Sequence, residues 1–202
     1  MSEIIKEQAP MNLNTLVHIH QNGLRSIQVE NDLENQSIAE SYVLTAQSRA
    51  CLGRILLRLG DPSYGRSWTL TGPYGSGKSY FSLFLMNLAS SYLSGHRHAI
   101  NQLSQVDPVL TQQASEVLNV NASHGLLPVA ITGFRASFQE CMKHGFIRAI
   151  RLMGNEQYFA HVVTEVESWN TQTDSRAIVQ WIRTFLSIIT STPFNYHGML
   201  LI

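Results

Sequence analysis

The sequence predicts a mixed α/β fold with a parallel sheet, and three observations carry this prediction. A glycine-rich loop over residues 72–79 lies between a strand-like run and a strong helix pattern. Two later apolar runs, residues 127–132 and 198–202, have the composition of short strands. Segments with helical periodicity separate these runs, and strands that alternate with helices are typical of parallel sheets.

The loop matches the phosphate-binding pattern G-x-x-x-x-G-K-[ST]. Its glycines let successive N–H groups point at phosphate oxygens, and the helix that follows adds the positive end of its dipole. Lys78 is expected to reach the β- and γ-phosphates, and Ser79 to hold Mg²⁺. The predicted nucleotide-binding residues are Gly72, Pro73, Tyr74, Gly75, Ser76, Gly77, Lys78, Ser79 and Tyr80, with Lys78 also the predicted catalytic residue.

The surroundings of the loop agree with this interpretation. Ser67–Thr71 has the pattern of a short strand, and Tyr80–Leu93 has that of a helix. The helix pattern is apolar nearly all round, which predicts a helix buried between layers. An ordinary turn between a strand and a helix is the alternative, and the strand–loop–helix context favours phosphate binding.

Length and charge limit the classes of protein to consider. The chain has 202 residues, which predicts an extension over residues 1–38 and one domain over residues 39–202. Lys+Arg and Asp+Glu both number 14, so the formal net charge is zero. Such a balance gives no global attraction for nucleic acid or an anionic membrane. A net charge of zero does not exclude a local basic patch.

The sequence contains no targeting or membrane signal. Its first ten residues, MSEIIKEQAP, lack the apolar core of a signal peptide, and no apolar run is long enough to span a bilayer. Cys51 and Cys141 are far apart in helix-like segments, which favours free thiols over a disulfide. We therefore expect a cytoplasmic protein.

Before the loop, the sequence predicts an N-terminal segment without regular structure, a turn region and a helix. Residues 1–12 are expected to be poorly ordered, and residues 23–38 to be turn-like. His18 and His20 lie on one face of a predicted short strand, where a solvated face is favoured over a metal because a site needs three or four ligands. Thr45 is the expected N-cap of the helix, which Gly60 and Pro62 end.

The same helix has an apolar stripe with arginines on the opposite face. The stripe consists of Leu52, Ile55, Leu56 and Leu59. Arg54 and Arg58 are expected to be solvated, with a contact to a partner or nucleic acid as the alternative.

After the loop helix, residues 94–125 are predicted to connect it to the next strand. Asp107 and Pro108 predict the cap and first turn of a helix that runs to about residue 119. His96 and His98 are expected at the surface.

The second predicted strand, residues 127–132, contains Pro128, which confines it to a sheet edge or to the start of a strand. Arg135 follows the carboxyl end of this strand, where open α/β sheets place ligands. It is a candidate contact for the nucleotide or a neighbouring subunit. Capping or solvating the loop is the commoner role for such an arginine.

Three helices are predicted over residues 137–152, 155–169 and 175–190. This block is longer than one crossover needs, so it indicates a helical insertion or an extended helical layer. The last apolar run, residues 198–202, has the composition of a buried parallel strand.

A phosphate-loop ATPase also needs an apolar strand that ends in acidic residues, which hold Mg²⁺ and polarise water. Residues 198–202 have the apolar half of this motif, and no acid follows them. The nearest other candidate, Leu103–Asp107, contains polar residues and leads into a helix cap. We expect the N-terminal part of a longer ATPase, cut inside its third strand, that binds nucleotide better than it hydrolyses it. An ordinary apolar tail is the alternative.

The order of strand, GPYGSGKS loop, helix, edge strand, helices and apolar strand resembles the P-loop NTPase fold, a three-layer α/β/α sandwich that is incomplete here. Within that fold it resembles the AAA+ and STAND type, and residues 66–79 also resemble large bacterial ATP-binding proteins, some linked to anti-phage defence. The resemblance implies ATP rather than GTP as ligand, with Mg²⁺. It also implies that the segment near residues 31–45 lines the adenine site. No arginine-finger, sensor, LSGGQ or N-K-x-D motif is found.

Three functions follow from these expectations. The first is ATP binding, with hydrolysis, as the nucleotide-binding part of a larger AAA+/STAND-like ATPase. The second is a nucleotide-gated interaction module without turnover, and the third a P-loop small-molecule kinase, for which the candidate lid region has few arginines. The sequence does not decide between binding to protein partners and self-association. The net charge gives no support for binding to nucleic acid.

Overall fold

The computed structural model describes residues 26–61, 63–65, 67–118, 123–152, 156–169, 175–190 and 198–202. The interpretations of residues 1–12 and of His18 and His20 lie outside this part of the chain. Within it, the elements are α1 Val29–Asp32, α2 Gln36–Ser41, α3 Ala46–Gly60, α4 Lys78–Ala89, α5 His96–Val106, α6 Pro108–Val117, β1 Leu126–Val129, α7 Phe138–Leu152, α8 Glu156–Ser168, α9 Ser175–Thr190 and β2 Gly198–Leu201.

The predicted helix starts at Thr45 and Asp107 are confirmed. Thr45 Oγ1 accepts a hydrogen bond from the Ser48 backbone N–H at 3.2 Å, and Ser48 Oγ accepts one from the Thr45 backbone N–H at 2.9 Å. At α6, Asp107 Oδ1 accepts from the Leu110 N–H at 3.0 Å, and Pro108 occupies the first helical position. Both caps satisfy N–H groups that have no acceptor within their own helix.

Strands β1 and β2 form a parallel pair, as predicted. Leu126 is opposite Gly198 and Val129 is opposite Leu201. The pairing continues past the strands, where the Ile131 N–H donates to the Ile202 carbonyl oxygen at 2.7 Å. The predicted mixed α/β class is therefore confirmed, although β1 ends three residues before the predicted boundary at residue 132.

Helices pack on both faces of this pair of strands. Leu127 and Val129 share a buried cluster with α7, α8 and α9. Leu126 and Leu200 pack on the opposite side, in a second cluster formed with α3, α4, α5 and α6. The alternation follows from the two-residue period of a strand.

Helix α4 is the most deeply buried helix among those the structure describes. Every residue from Phe81 to Ala89 is buried. One side of the helix, with Phe84 and Leu88, belongs to the cluster of α3, α5 and α6. Another side, with Leu83 and Met86, packs against Leu33 and Ile38. The prediction of a buried loop helix is confirmed.

Two regions contain helices that the sequence did not predict. Val29–Asp32 and Gln36–Ser41 form α1 and α2 where residues 23–38 were expected to be turn-like, because Leu33 and Ile38 are buried against α4 and hold this polar stretch in place. Residues 96–106 form α5 instead of a connection. Its two buried residues, Ala99 and Leu103, give too narrow an apolar stripe for the pattern to reveal.

The predicted strand at residues 67–71 is wrong for the described part of the chain. The segment is not a strand, and no strand there pairs with it. Trp68 and Leu70 nevertheless pack against the cluster of α3 and α4. Burial fixes the segment beside the loop, but a strand also needs a backbone partner.

The two cysteines are free, as predicted, with Cys51 half-buried and Cys141 buried. In the described ranges, no helix combines the length and apolar character needed to cross a membrane.

Candidate functional site

The glycine-rich loop owes its shape to two left-handed backbone positions. Gly75 has φ 78° and Gly77 has φ 81°, a region that residues with a Cβ enter only at a cost. A Cβ at either position would meet no atom within 4 Å, so the backbone conformation and not space requires glycine. Gly77 is also the residue from which α4 starts. The unpaired N–H groups of the first turn of α4 therefore adjoin the loop.

The side chain of Lys78 folds back over this loop. Its Nζ donates hydrogen bonds to the carbonyl oxygens of Gly72 at 2.9 Å and Pro73 at 2.8 Å. Ser76 Oγ lies 3.3 Å from the same nitrogen. The ammonium group is thus held at the loop before any ligand arrives, and carbonyl dipoles stabilise its charge.

The loop forms one wall of a cavity of about 870 Å³. This volume is in the range of pockets that bind nucleotide-sized ligands. The other walls come from the segment before α3, the first two turns of α3, the segment before the loop and the start of α4. The lining residues are Ser41, Tyr42, Val43, Thr45, Gln47, Ser48, Cys51, Arg54, Thr69, Leu70, Thr71, Gly72, Pro73, Gly75, Ser76, Gly77, Lys78, Tyr80 and Phe81.

The charged side chains that line this cavity are all cationic among the described residues. Arg54 and Lys78 line the cavity, and no aspartate or glutamate of the described part of the chain does. Burial raises the pKa of Tyr42, more than a hydrogen bond with Ser48 lowers it, so the phenol stays neutral. The cavity lining therefore carries two positive charges in a chain whose formal net charge is zero. Such a site attracts anions.

An aromatic stack holds two of the walls together. The rings of Tyr42 and Tyr80 stack with centroids 6.1 Å apart and planes 17° apart. Tyr42 also lies 5.1 Å from the Phe84 ring, at an angle of 35°. These contacts fix the segment before α3 against the first turns of α4, which shapes the cavity between them.

Seven of the nine predicted nucleotide-binding residues line the cavity, and two do not. Tyr74 is 94% exposed at the tip of the loop, and its hydroxyl lies 3.0 Å from Ser26 Oγ. Ser79, the predicted Mg²⁺ ligand, is exposed and lies outside the cavity wall. Arg135 is exposed and does not line this cavity either.

The sequence did not identify the contribution of α3. Gln47, Cys51 and Arg54 follow helical spacing and lie on the face that lines the cavity. Arg58 was grouped with Arg54, but its guanidinium lies 5.7 Å from the centre of the Tyr64 ring and outside the cavity wall. Of the segment that the family resemblance places at the adenine site, residues 41–43 and 45 do line the cavity.

Among the described residues, no group of three or more histidine, cysteine, aspartate or glutamate side chains could hold a metal ion. Asp107, the acid of the weaker strand candidate, caps α6 and lies 3.9 Å from Arg49 Nε. The described residues of the cavity lining can bind an anion, but they include no carboxylate to activate water. No family model matches the chain, and no curated protein or solved structure matches it.

Proposed function

We propose that this chain binds ATP with Mg²⁺ in the loop cavity, as the nucleotide-binding part of an AAA+/STAND-like ATPase with a P-loop fold. The observation that carries the proposal is the joint position of the loop, Lys78 and the start of α4 on the wall of one cavity. A helix N-terminus and backbone N–H groups are suited to phosphate, and a lysine supplies a compact positive charge.

The fold supports the same proposal. Helices lie on both faces of a parallel pair of strands, and α4 starts at the loop and runs buried between two clusters. This arrangement is compatible with an α/β/α sandwich of the P-loop type. The ligand would lie between the loop and the polar face of α3. Because Ser79 lies outside the cavity wall, phosphate oxygens and water would supply most of the Mg²⁺ ligands.

Calorimetric titration with ATP and Mg²⁺ tests the proposal. The unaltered chain is expected to bind ATP, and Lys78→Met is expected to weaken binding by about tenfold or more, because the charge is lost while the length of the side chain is kept. Lys143→Met is the matched control, since Lys143 bonds backbone carbonyls near α8. Equal binding by the two variants, or none by the unaltered chain, contradicts the proposal.

A nucleotide-gated module without turnover is the second candidate. The absence of carboxylates from the cavity wall favours it for the chain as described, because hydrolysis needs a group that orients or activates water. Phosphate release separates the two functions. Binding without release supports the gated module, whereas release that Lys78→Met abolishes supports the ATPase.

A further inference from the structure

Arg54 lines the same cavity as Lys78, although α3 and not the loop carries it. Cys51 and Gln47 precede it by three and seven residues on the same helix face, so this face lies along the cavity. Arg54, whose side chain is exposed, therefore lines the site from a different wall from that of the lysine.

Arg54 has no ion pair or hydrogen bond with any residue that the structure describes. Arg49 and Arg148 differ in this respect, and Arg58 has a ring contact instead. Arg49 lies 3.9 Å from Asp107, Arg148 lies 3.5 Å from Glu30, and Arg58 packs over Tyr64. The donors of Arg54 are available to a ligand, whereas Lys78 Nζ is already bonded to loop carbonyls.

We infer that Arg54 is a second phosphate-binding cation, which holds the polyphosphate of the ligand from the α3 side while the loop and Lys78 hold it from the other. This inference rests on the proposed function. A triphosphate carries several negative charges, and Lys78 alone offsets one. The planar guanidinium can bind two phosphate oxygens at once, and none of the described lining residues is a carboxylate that would compete for it.

The role makes Arg54 a determinant of specificity. A cation directed at phosphates favours ATP over ligands with fewer phosphates, and it does little for the nucleoside. Removal of its charge should therefore weaken ATP binding much more than adenosine binding.

The test compares Arg54→Gln with Arg58→Gln, which removes the same charge one turn further along α3 and outside the cavity. Calorimetry with ATP and with adenosine gives the affinities, and thermal unfolding checks that each variant is folded. Arg54→Gln is expected to weaken ATP binding by about tenfold or more and adenosine binding by less than about twofold. Arg58→Gln is expected to change both by less than about twofold, and Arg54→Lys to give an intermediate ATP affinity.

The affinities of these variants separate the role of Arg54 from the proposed ATP binding. If Lys78→Met abolishes ATP binding but Arg54→Gln behaves like Arg58→Gln, the inference fails and the proposed function stands. Equal losses for ATP and adenosine place Arg54 at the nucleoside and also overturn the inference. If Arg54→Gln does not fold, Arg54→Lys decides instead. An ATP affinity of Arg54→Lys equal to that of the unaltered chain counts against the inference. Failure of Arg54→Lys to fold also counts against it, because the arginine then has a structural role. No ATP binding by the unaltered chain overturns both proposals.

Discussion

The Nδ1–H group of His96 donates a hydrogen bond to the backbone carbonyl oxygen of Asn87, 2.8 Å away. This bond joins the C-terminal part of α4 to the first residue of α5. The His96 side chain is half-buried, and burial lowers the pKa of its imidazole, while the bond to Asn87 raises the pKa by a smaller amount. The imidazole is therefore kept neutral in the folded chain.

We expect His96 to make the fold acid-sensitive. Its folded pKa lies below the ordinary value of 6.5, so the unfolded chain binds more protons between the two values. The contribution of His96 to the free energy of unfolding is complete above pH 6.5 and falls as the pH drops towards the folded pKa. Urea unfolding at about pH 7.5 and about pH 5.5 measures this change. His96→Gln should reduce the difference between the two, and an unchanged difference would contradict the assignment.

Gly95→Ala should destabilise the chain by about 1–3 kcal/mol, because the new methyl group overpacks the contact between α2 and α4. A Cβ at this position would lie 2.5 Å from Ala39 Cβ and 2.5 Å from Asn87 Oδ1. The φ of Gly95 is −83°, so the cost is steric. The control is Gly65→Ala, whose Cβ meets nothing within 4 Å. Urea unfolding should separate the two variants, and equal stabilities would rule out the close packing.

Gly77→Ala should lower the free energy of unfolding by about 1–2 kcal/mol through backbone strain alone. The φ of 81° is costly for alanine, and the added Cβ would meet no neighbour. Gly77→Asn should cost less, since asparagine enters the left-handed region more readily. Chemical denaturation of the three proteins gives the order. An alanine variant as stable as the unaltered chain would show that the loop can adopt another conformation.

Tyr42→Ala should cost about 2–4 kcal/mol, because it removes the ring that stacks on Tyr80 and packs against Phe84. Tyr42→Phe keeps the ring and loses only the hydroxyl bonded to Ser48, so its loss should stay near 1 kcal/mol. Denaturation in urea measures both values. Similar losses for the two variants would mean that the hydroxyl and not the stack holds these segments together.

Sequence reasoning succeeded where the signal was local. In each of the caps at Thr45 and Asp107, a side-chain oxygen accepts a hydrogen bond from the backbone N–H three residues later. Both caps are present as predicted. The loop helix was predictable because an apolar surface all round a helix can only be buried. The helix over residues 175–190 was also confirmed, since its apolar stripe is long.

Sequence reasoning failed where the outcome depended on a distant partner. Residues 67–71 have a strand-like composition, yet pairing requires a neighbouring strand that no local pattern supplies. Helix α5 forms because Ala99 and Leu103 pack against α4 and α6. The polar sequence of α5 does not indicate these contacts. Arg54 is exposed on the polar face of α3, as predicted, but helical spacing could not show that the loop cavity lies beside that face.

The continuous burial of Phe81–Ala89 has a consequence for the timescale on which the loop region opens. These residues belong to two clusters at once, so α4 cannot leave one without disrupting the other. Its amide protons are expected to exchange with solvent only through global unfolding, and so to be among the slowest in the chain. The exposed loop is thus anchored to a helix that is expected to open only with the whole fold. It can rearrange around a ligand while its attachment to α4 stays fixed.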